Sequence, residues 1–285
     1  MRSVAAKAVH MGKDLEGAVA LVTGASAGIG LAASQKLVAR GARVALVART
    51  ADKLEQVARD LGPERAAAFA LDVSDLGALR ELPDRVAARF GRLDVVINNA
   101  GTNHRGEVAH VPTEALEAII TTNLTAPIVL MRAALPRLLE APAGHVINVA
   151  SLAGMVPLPH EAAYCASKAG LRAFTRALAD ELRGTRVRAS LVSPGPVDTG
   201  FFGDVRTVPD LVFSQPMSTA AQVADAVLAV LDSGEVERAV PGPSGVLATM
   251  GYVFPSLRRA LTPALERLGA RNKARYLDEL ARRRS

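Results

Sequence analysis

A single cysteine, Cys165, occurs among 285 residues, so no intrachain disulfide can form and no thiolate cluster can hold zinc. Aromatic residues make up only 4% of the chain and tryptophan is absent. A core must then be assembled from the Ala, Val, Leu and Ile that dominate its 49% apolar content. Such a core suits helices packed on parallel strands better than an aromatic-rich sandwich. The five histidines (10, 104, 110, 145 and 160) lack metal-ligand spacing, and no metal site is expected. No apolar run reads as long enough to span a bilayer. Residues 1–17 contain no apolar core of signal-peptide length, which makes the cytoplasm the expected location. One sign of charge is scarce only locally. Residues 256–285 hold nine Arg and Lys against three Asp and Glu, a surplus equal to the whole formal net charge of +6. Residues 1–255 therefore sum to zero, and a neutral body argues against a nucleic-acid partner.

Alternating strand and helix patterns run through that body. Residues 18–23 form a Val-rich buried strand, a glycine-rich turn follows (Gly24, Gly28, Gly30), and then a helical pattern ends at Gly41. A second strand ends at Arg49. Such a turn between strand and helix lets backbone approach a pyrophosphate, whose charge the helix N-terminus stabilises. An acid at the tip of the second strand would select the ribose hydroxyl of NAD, whereas an Arg accommodates the phosphate of NADP. Here Ala48-Arg49-Thr50 stands there, so NADP(H) is expected over NAD(H). Further strands end at Asp72-Val73, at Asn98-Asn99-Ala100-Gly101, near Ser151 and at Pro194-Gly195. A long helical pattern over 113–139 contains Asn123 and Pro127 and predicts a local kink. The alternation implies one parallel sheet with right-handed crossovers.

The stretch from Ser151 to Lys168 carries the chemistry. Tyr164 and Lys168 stand four apart, on one face of a helix. A phenol of ordinary pKa, about 10, is a poor base at neutral pH, and a neighbouring cation makes it usable. Ser151 can then hold the substrate oxygen while Tyr164 exchanges its proton.

Taken together, TGASAGIG at 23–30, Asp72-Val73, NNAG at 98–101, Asn123, Ser151, YCASK at 164–168 and PGPVDT at 194–199 resemble the short-chain dehydrogenase/reductase family, in its single-domain form, over roughly residues 17–242. The resemblance implies a doubly wound parallel sheet (Rossmann fold) in three α/β/α layers. It implies a catalytic domain at 17–245 between an N-terminal extension (1–16) and a basic helical extension (246–285). Tyr164 would be the acid/base, Ser151 would position the substrate oxygen, and Lys168 would lower the pKa of Tyr164 and bind the nicotinamide ribose. Asn123 would hold a water in a proton relay. Gly24, Ser26, Gly28, Ile29 and Gly30 would wrap the pyrophosphate, with Asp72 and Val73 at the adenine. Asn99, Ala100 and Gly101 would border the ribose, and Pro194, Gly195, Val197 and Thr199 the nicotinamide amide. The expected activity is hydride transfer between nicotinamide and a carbonyl or secondary alcohol, by a homodimer or homotetramer. A non-catalytic NADP-binding regulator on the same fold is the alternative. Nucleotide-sugar chemistry fits poorly, because no sizeable substrate domain follows residue 245.

The substrate end is read from Phe201, Phe202, Val208, Leu211, Val212 and Phe213, with Met155, Val156 and Leu158. These predict an apolar pocket without an arginine clamp, or else packing against the tail or a second subunit. In the tail, Thr262 and Pro263 suit a helix start, Gly269 a stop and Asn272 a second start. Leu257, Leu261, Leu265 and Leu268 recur at helical spacing among cations. That stripe either packs on the body or across a dimer, or lies on an anionic membrane surface.

Overall fold

A computed structural model describes Gly12 and residues 14–284. Most of the N-terminal extension expected over residues 1–16 lies outside the described residues. Strands β1 (Val19–Thr23), β2 (Arg43–Ala48), β3 (Ala66–Ala70), β4 (Val95–Asn98), β5 (Gly144–Val149) and β6 (Val187–Pro194) follow one another along the chain. Short β7 (Val197–Asp198) and β8 (Ser218–Thr219) pair with each other, and β9 (Glu237–Val240) joins the main sheet. That sheet has seven strands in the order β3-β2-β1-β4-β5-β6-β9, all parallel.

Between them run α1 (Gly28–Ala39), α2 (Ala51–Leu61), α3 (Leu76–Phe90), α4 (Thr113–Ile120), α5 (Ala126–Glu140), α6 (Ala162–Glu181) and α7 (Ala220–Ser233). Two further helices, α8 (Gly242–Val253) and α9 (Pro255–Arg284), complete the order. Leu37, Leu54 and Val227 of α1, α2 and α7 close one face of the sheet. Leu79, Leu130 and Leu178 of α3, α5 and α6 close the other. Because both faces are covered, β1 is buried at every position, which is why it reads as an unbroken apolar run. Local signals set the helix ends. Asp75 caps α3 through the Ala78 N–H, and a left-handed Gly91 ends it. Thr219 and Gln222 form a capping box on α7. Strand order reverses between β1 and β4, which opens a crevice at their carboxyl ends.

Two expectations are corrected. Thr113–Glu140 is one continuous helical stretch of 28 residues containing an 18-residue window of mean hydropathy 1.5, long and apolar enough to cross a membrane by length and composition. Its α5 portion turns Leu130, Met131, Ala134 and Leu138 into the core beside α3, which accounts for much of the apolarity. The expected kink within it is a π-turn over Thr121–Thr125, centred on Asn123.

From Pro255 the tail is one helix and does not break at the expected positions. Thr262 turns its hydroxyl back to the Arg258 carbonyl and does not cap a helix start. Gly269 sits where α9 crosses the segment before β8. A Cβ there would fall 1.9 Å from the Asp210 carbonyl oxygen, so this glycine permits contact and not termination. Asn272 donates to the Phe213 carbonyl at 3.0 Å, and Lys273 donates to those of Arg206 and Val208. Residues that resemble helix punctuation are the helix's docking contacts.

Candidate active site

The crevice opens into a cavity of about 620 Å³ that runs from the first glycine turn to α8 and α9. At one end, Gly24, Gly28, Ile29, Arg49, Asn99, Ala100 and Gly101 line it. Helix α1 starts there with no side-chain cap on Ala27 and no acid in its first turn. Its first N–H groups are thus left for an anion, and the helix dipole favours one. Gly30 packs under the turn, where a Cβ would stand 2.3 Å from the Gly24 carbonyl oxygen. Asn99 pins the turn to β4 by donating to the Thr23 carbonyl at 2.9 Å, while the Asn99 and Ala100 N–H groups meet the Thr23 hydroxyl. This uncapped, side-chain-free cradle fits a dinucleotide pyrophosphate.

Arg49 is 80% exposed at the cavity edge, with its guanidinium 4.0 Å from Asp72. Asp72 also accepts from the Ser74 N–H and hydroxyl, and these bonds with Arg49 hold its carboxyl below the usual range against the opposing effect of burial. Of the sequence-predicted contacts, Ser26, Gly30, Asp72, Val73 and Asn123 stand off the cavity wall. The Val73 side chain is packed in the core beside α3.

Tyr164, Ser151 and Lys168 meet in the middle of the cavity, joined by Pro194, Gly195, Val197 and Thr199. Ser151 leaves the end of β5 and hydrogen-bonds the Tyr164 phenol, while its Oγ accepts from the Ala153 N–H at 3.1 Å. Tyr164 and Lys168 lie on α6, which a buried polar ladder fixes to the sheet. Asn98 donates to Asn148 at 2.8 Å, Asn148 to Thr175 at 2.8 Å, and Thr175 to the Leu171 carbonyl at 2.6 Å. Sequence reading missed Asn148 and Thr175. Their one signal is polarity inside otherwise apolar patterns.

Asn123 is fully buried in the π-turn. Its amide brackets Thr102, accepting from the N–H at 2.8 Å and donating to the carbonyl at 2.9 Å, and it also donates to Ser167. The side chain thus ties the loop after β4 to the catalytic helix.

The electrostatics depart from the sequence expectation. Burial pushes the Tyr164 phenol well above its ordinary pKa, and it is the Ser151 hydrogen bond and Arg105 that act to lower it. Lys168 lies beside the phenol on α6. Its Nζ donates to the Val149 carbonyl at 2.9 Å and lies 5.8 Å from the phenol ring centre. Burial brings Lys168 down to about 8.

Toward the far end, Phe201, Phe202, Leu211, Val212, Val156 and Leu158 line the cavity as expected. Phe201 stands over Tyr164 with ring centres 6.0 Å apart. Val208 and Phe213 instead form a buried cluster with Tyr276, Leu277 and Leu280 of α9, and Met155 packs on Leu152 and Ala248. Three charged residues of the cavity wall escaped the sequence reading: Arg105, Glu161 and, at the end formed by α8 and α9, Arg258. Arg105 lies 2.5 Å from Glu161 and donates to the Phe202 carbonyl at 2.9 Å, so its charge is matched within the wall. Leu247 and Met250 of α8 and Leu257, Leu261 and Leu265 of α9 complete this end.

Comparison with known proteins accords with this geometry. A family model of short chain dehydrogenases matches residues 18–209. D-threitol dehydrogenase of Mycolicibacterium smegmatis is 38% identical over 187 residues, which cover 65% of this chain and 72% of that protein. A short-chain dehydrogenase from Streptomyces avermitilis superposes with a TM-score of 0.74 at 31% identity, covering 86% of this chain and 95% of that one. A metagenomic short-chain oxidoreductase in complex with NADP gives a TM-score of 0.67 at 38% identity, covering 79% and 96%.

Proposed function

The chain belongs to the short-chain dehydrogenase/reductase family and is an NAD(P)-dependent oxidoreductase, and on that premise we propose that it reduces an apolar ketone or aldehyde with NADPH. The observation that carries this reading is the convergence of Tyr164, Ser151 and Lys168 in one cavity that continues into the glycine cradle at one end and an apolar wall at the other. The nicotinamide cofactor, when bound, supplies the hydride to the carbonyl carbon.

The chain's own residues handle the oxygen. Tyr164 gives its phenolic proton to the carbonyl oxygen as that oxygen gains charge, and Ser151 donates a hydrogen bond to the same oxygen. The Tyr164 phenol is protonated at neutral pH, the state that reduction requires of its proton donor. Lys168, still largely protonated at pH 7, keeps a positive charge beside the nascent phenolate. The Asn123 amide holds Thr102 and α6 in register, so a relay water would be held by main-chain groups of the π-turn.

Arg49 supports the choice of NADPH, since it stands at the cavity edge where no acid opposes a 2′-phosphate at Ala48. The relative of known structure with NADP bound points the same way. The test is NADPH oxidation against a panel of ketones and aldehydes of graded chain length, with Tyr164→Phe as control. Turnover should fall about a thousandfold in the variant while NADPH affinity stays within twofold of wild type. Near wild-type turnover by Tyr164→Phe would remove Tyr164 from the mechanism.

A further inference from the structure

Large apolar side chains are exposed in one place above all. Among the described residues, nine of the thirteen exposed large hydrophobics fall between Val246 and Leu268. Val246, Tyr252, Val253 and Phe254 are each more than half exposed and form the outer face and tip of the α8–α9 hairpin. No residue of α8 carries a charge. Apolar patches concentrated in this way mark contact surfaces and not ordinary solvent-facing wall.

The patch is continuous with the cavity. Leu247, Met250, Leu257 and Leu261 line the cavity while remaining 39%, 45%, 44% and 41% exposed, so they form its rim. Along α9, Leu257, Leu261 and Leu268 stand at i, i+4 and i+11, and Arg271 and Arg275 extend the same side at i+14 and i+18. The flank about a quarter-turn away is occupied by Gly269 and Asn272, which meet the segment before β8, and by Tyr276, which donates to Asp198. Arg259, Arg267, Arg271 and Arg275 are all exposed.

We propose that the α8–α9 hairpin seats on an anionic lipid surface and opens the cavity toward it, so that a lipid-soluble carbonyl substrate enters from the bilayer. The leucines and the hairpin tip would lie at the acyl boundary, and the arginines beyond them among anionic headgroups. Charge favours this occupant over a second copy of the chain, which would bring the same row of arginines against itself and seal the rim. The substrate route rests on the carbonyl-reductase reading, but the docking does not.

The full-length protein should co-sediment with equimolar phosphatidylglycerol/phosphatidylcholine vesicles, release at high salt, and ignore pure phosphatidylcholine. Arg271→Gln with Arg275→Gln should weaken partitioning roughly thirtyfold, as expected for the loss of two interfacial cations. Tyr252→Ser, Val253→Ser and Phe254→Ser together remove the tip without touching the cavity lining. That variant should lose vesicle binding and most turnover of a long-chain ketone presented in vesicles, while turnover of a short water-soluble ketone is unchanged. Failure of the wild type to sediment while it turns over ketones would overturn docking and the bilayer route, and leave the carbonyl-reductase reading standing. Vesicle binding without turnover of any carbonyl would overturn the carbonyl-reductase reading and the substrate route, and leave docking standing. If the tip variant instead dissociates a larger species in light scattering, and the wild type ignores vesicles, the patch is an interface between copies and the proposal falls.

Discussion

At the cavity end lined by Gly24, Gly28 and Asn99, the wall is backbone and short polar side chains held to the ends of β1 and β4. At the end lined by Leu247, Met250, Leu257 and Leu261, the wall is apolar side chain on two helices that follow the last strand. The first end has its shape fixed by sheet register. The second depends on how α9 holds the segment from Gly200 to Ser214. The cofactor end is thus intolerant of change at single backbone positions, and the substrate end is tuned through contacts between segments distant in sequence.

The comparison can be broken hardest at Gly30. A methyl group there would stand 2.3 Å from the Gly24 carbonyl oxygen and must open the turn. Such overpacking costs about 1–3 kcal/mol, and Gly30→Ala should weaken NADPH roughly tenfold to a hundredfold in a fluorescence titration. The matching probe at the other end is Gly269→Ala, whose methyl would meet the Asp210 carbonyl oxygen at 1.9 Å. It should raise KM for an apolar ketone several-fold and lower Tm by roughly 5 °C, with NADPH affinity unchanged. Equal damage to NADPH binding by both variants would show that the two ends are one unit.

Arg49→Ala sharpens the picture within the cofactor end. It should narrow the preference for NADPH over NADH by about tenfold, the scale of one charge-assisted contact, and leave NADH affinity near wild type. Equal affinity of the wild type for the two cofactors would remove Arg49 from that role.

The smallest effect is one of pH. Lys168 loses its proton near pH 8, so reductive turnover should be level through neutrality and decline as pH rises through that value, while alcohol oxidation gains. Lys168→Met should erase the inflection. Stability should move the other way in the cofactor-free protein. Burial depresses Lys168 from 10.5 to about 8, so the unfolded chain holds the extra proton between these values. Unfolding free energy should therefore rise with pH across that window, and denaturant titration at either end of it would reveal the change.

What was legible in the sequence follows the same division. The alternating strands, the glycine turn and the Ser151, Tyr164 and Lys168 set are local in sequence, and their spacing maps directly onto strand ends and one helix face. The π-turn was readable as a kink because Asn123 and Pro127 both disfavour a regular helix. The tail was not readable in this way. Gly269 and Asn272 are ambiguous between punctuating a helix and docking one, and only the partner surface at Asp210 and Phe213 decides. Arg105 and Glu161 are equally silent until the fold brings positions 56 residues apart into contact. The pKa of Tyr164 was misread for a related reason. Spacing identifies a nearby cation but carries no measure of burial, and burial is the larger influence.

The contact of α9 with the segment before β8 also sets an order of assembly. The cradle, the polar ladder and the catalytic residues all lie before residue 200, and α7 and β9, which complete their core and sheet, lie before residue 241, so this part of the molecule can form while α9 is still being synthesised. The lid over Tyr164 acquires its anchors at Gly269, Asn272, Lys273 and Tyr276 only afterwards. A nascent chain can therefore have a place for its cofactor before it has a finished place for its substrate.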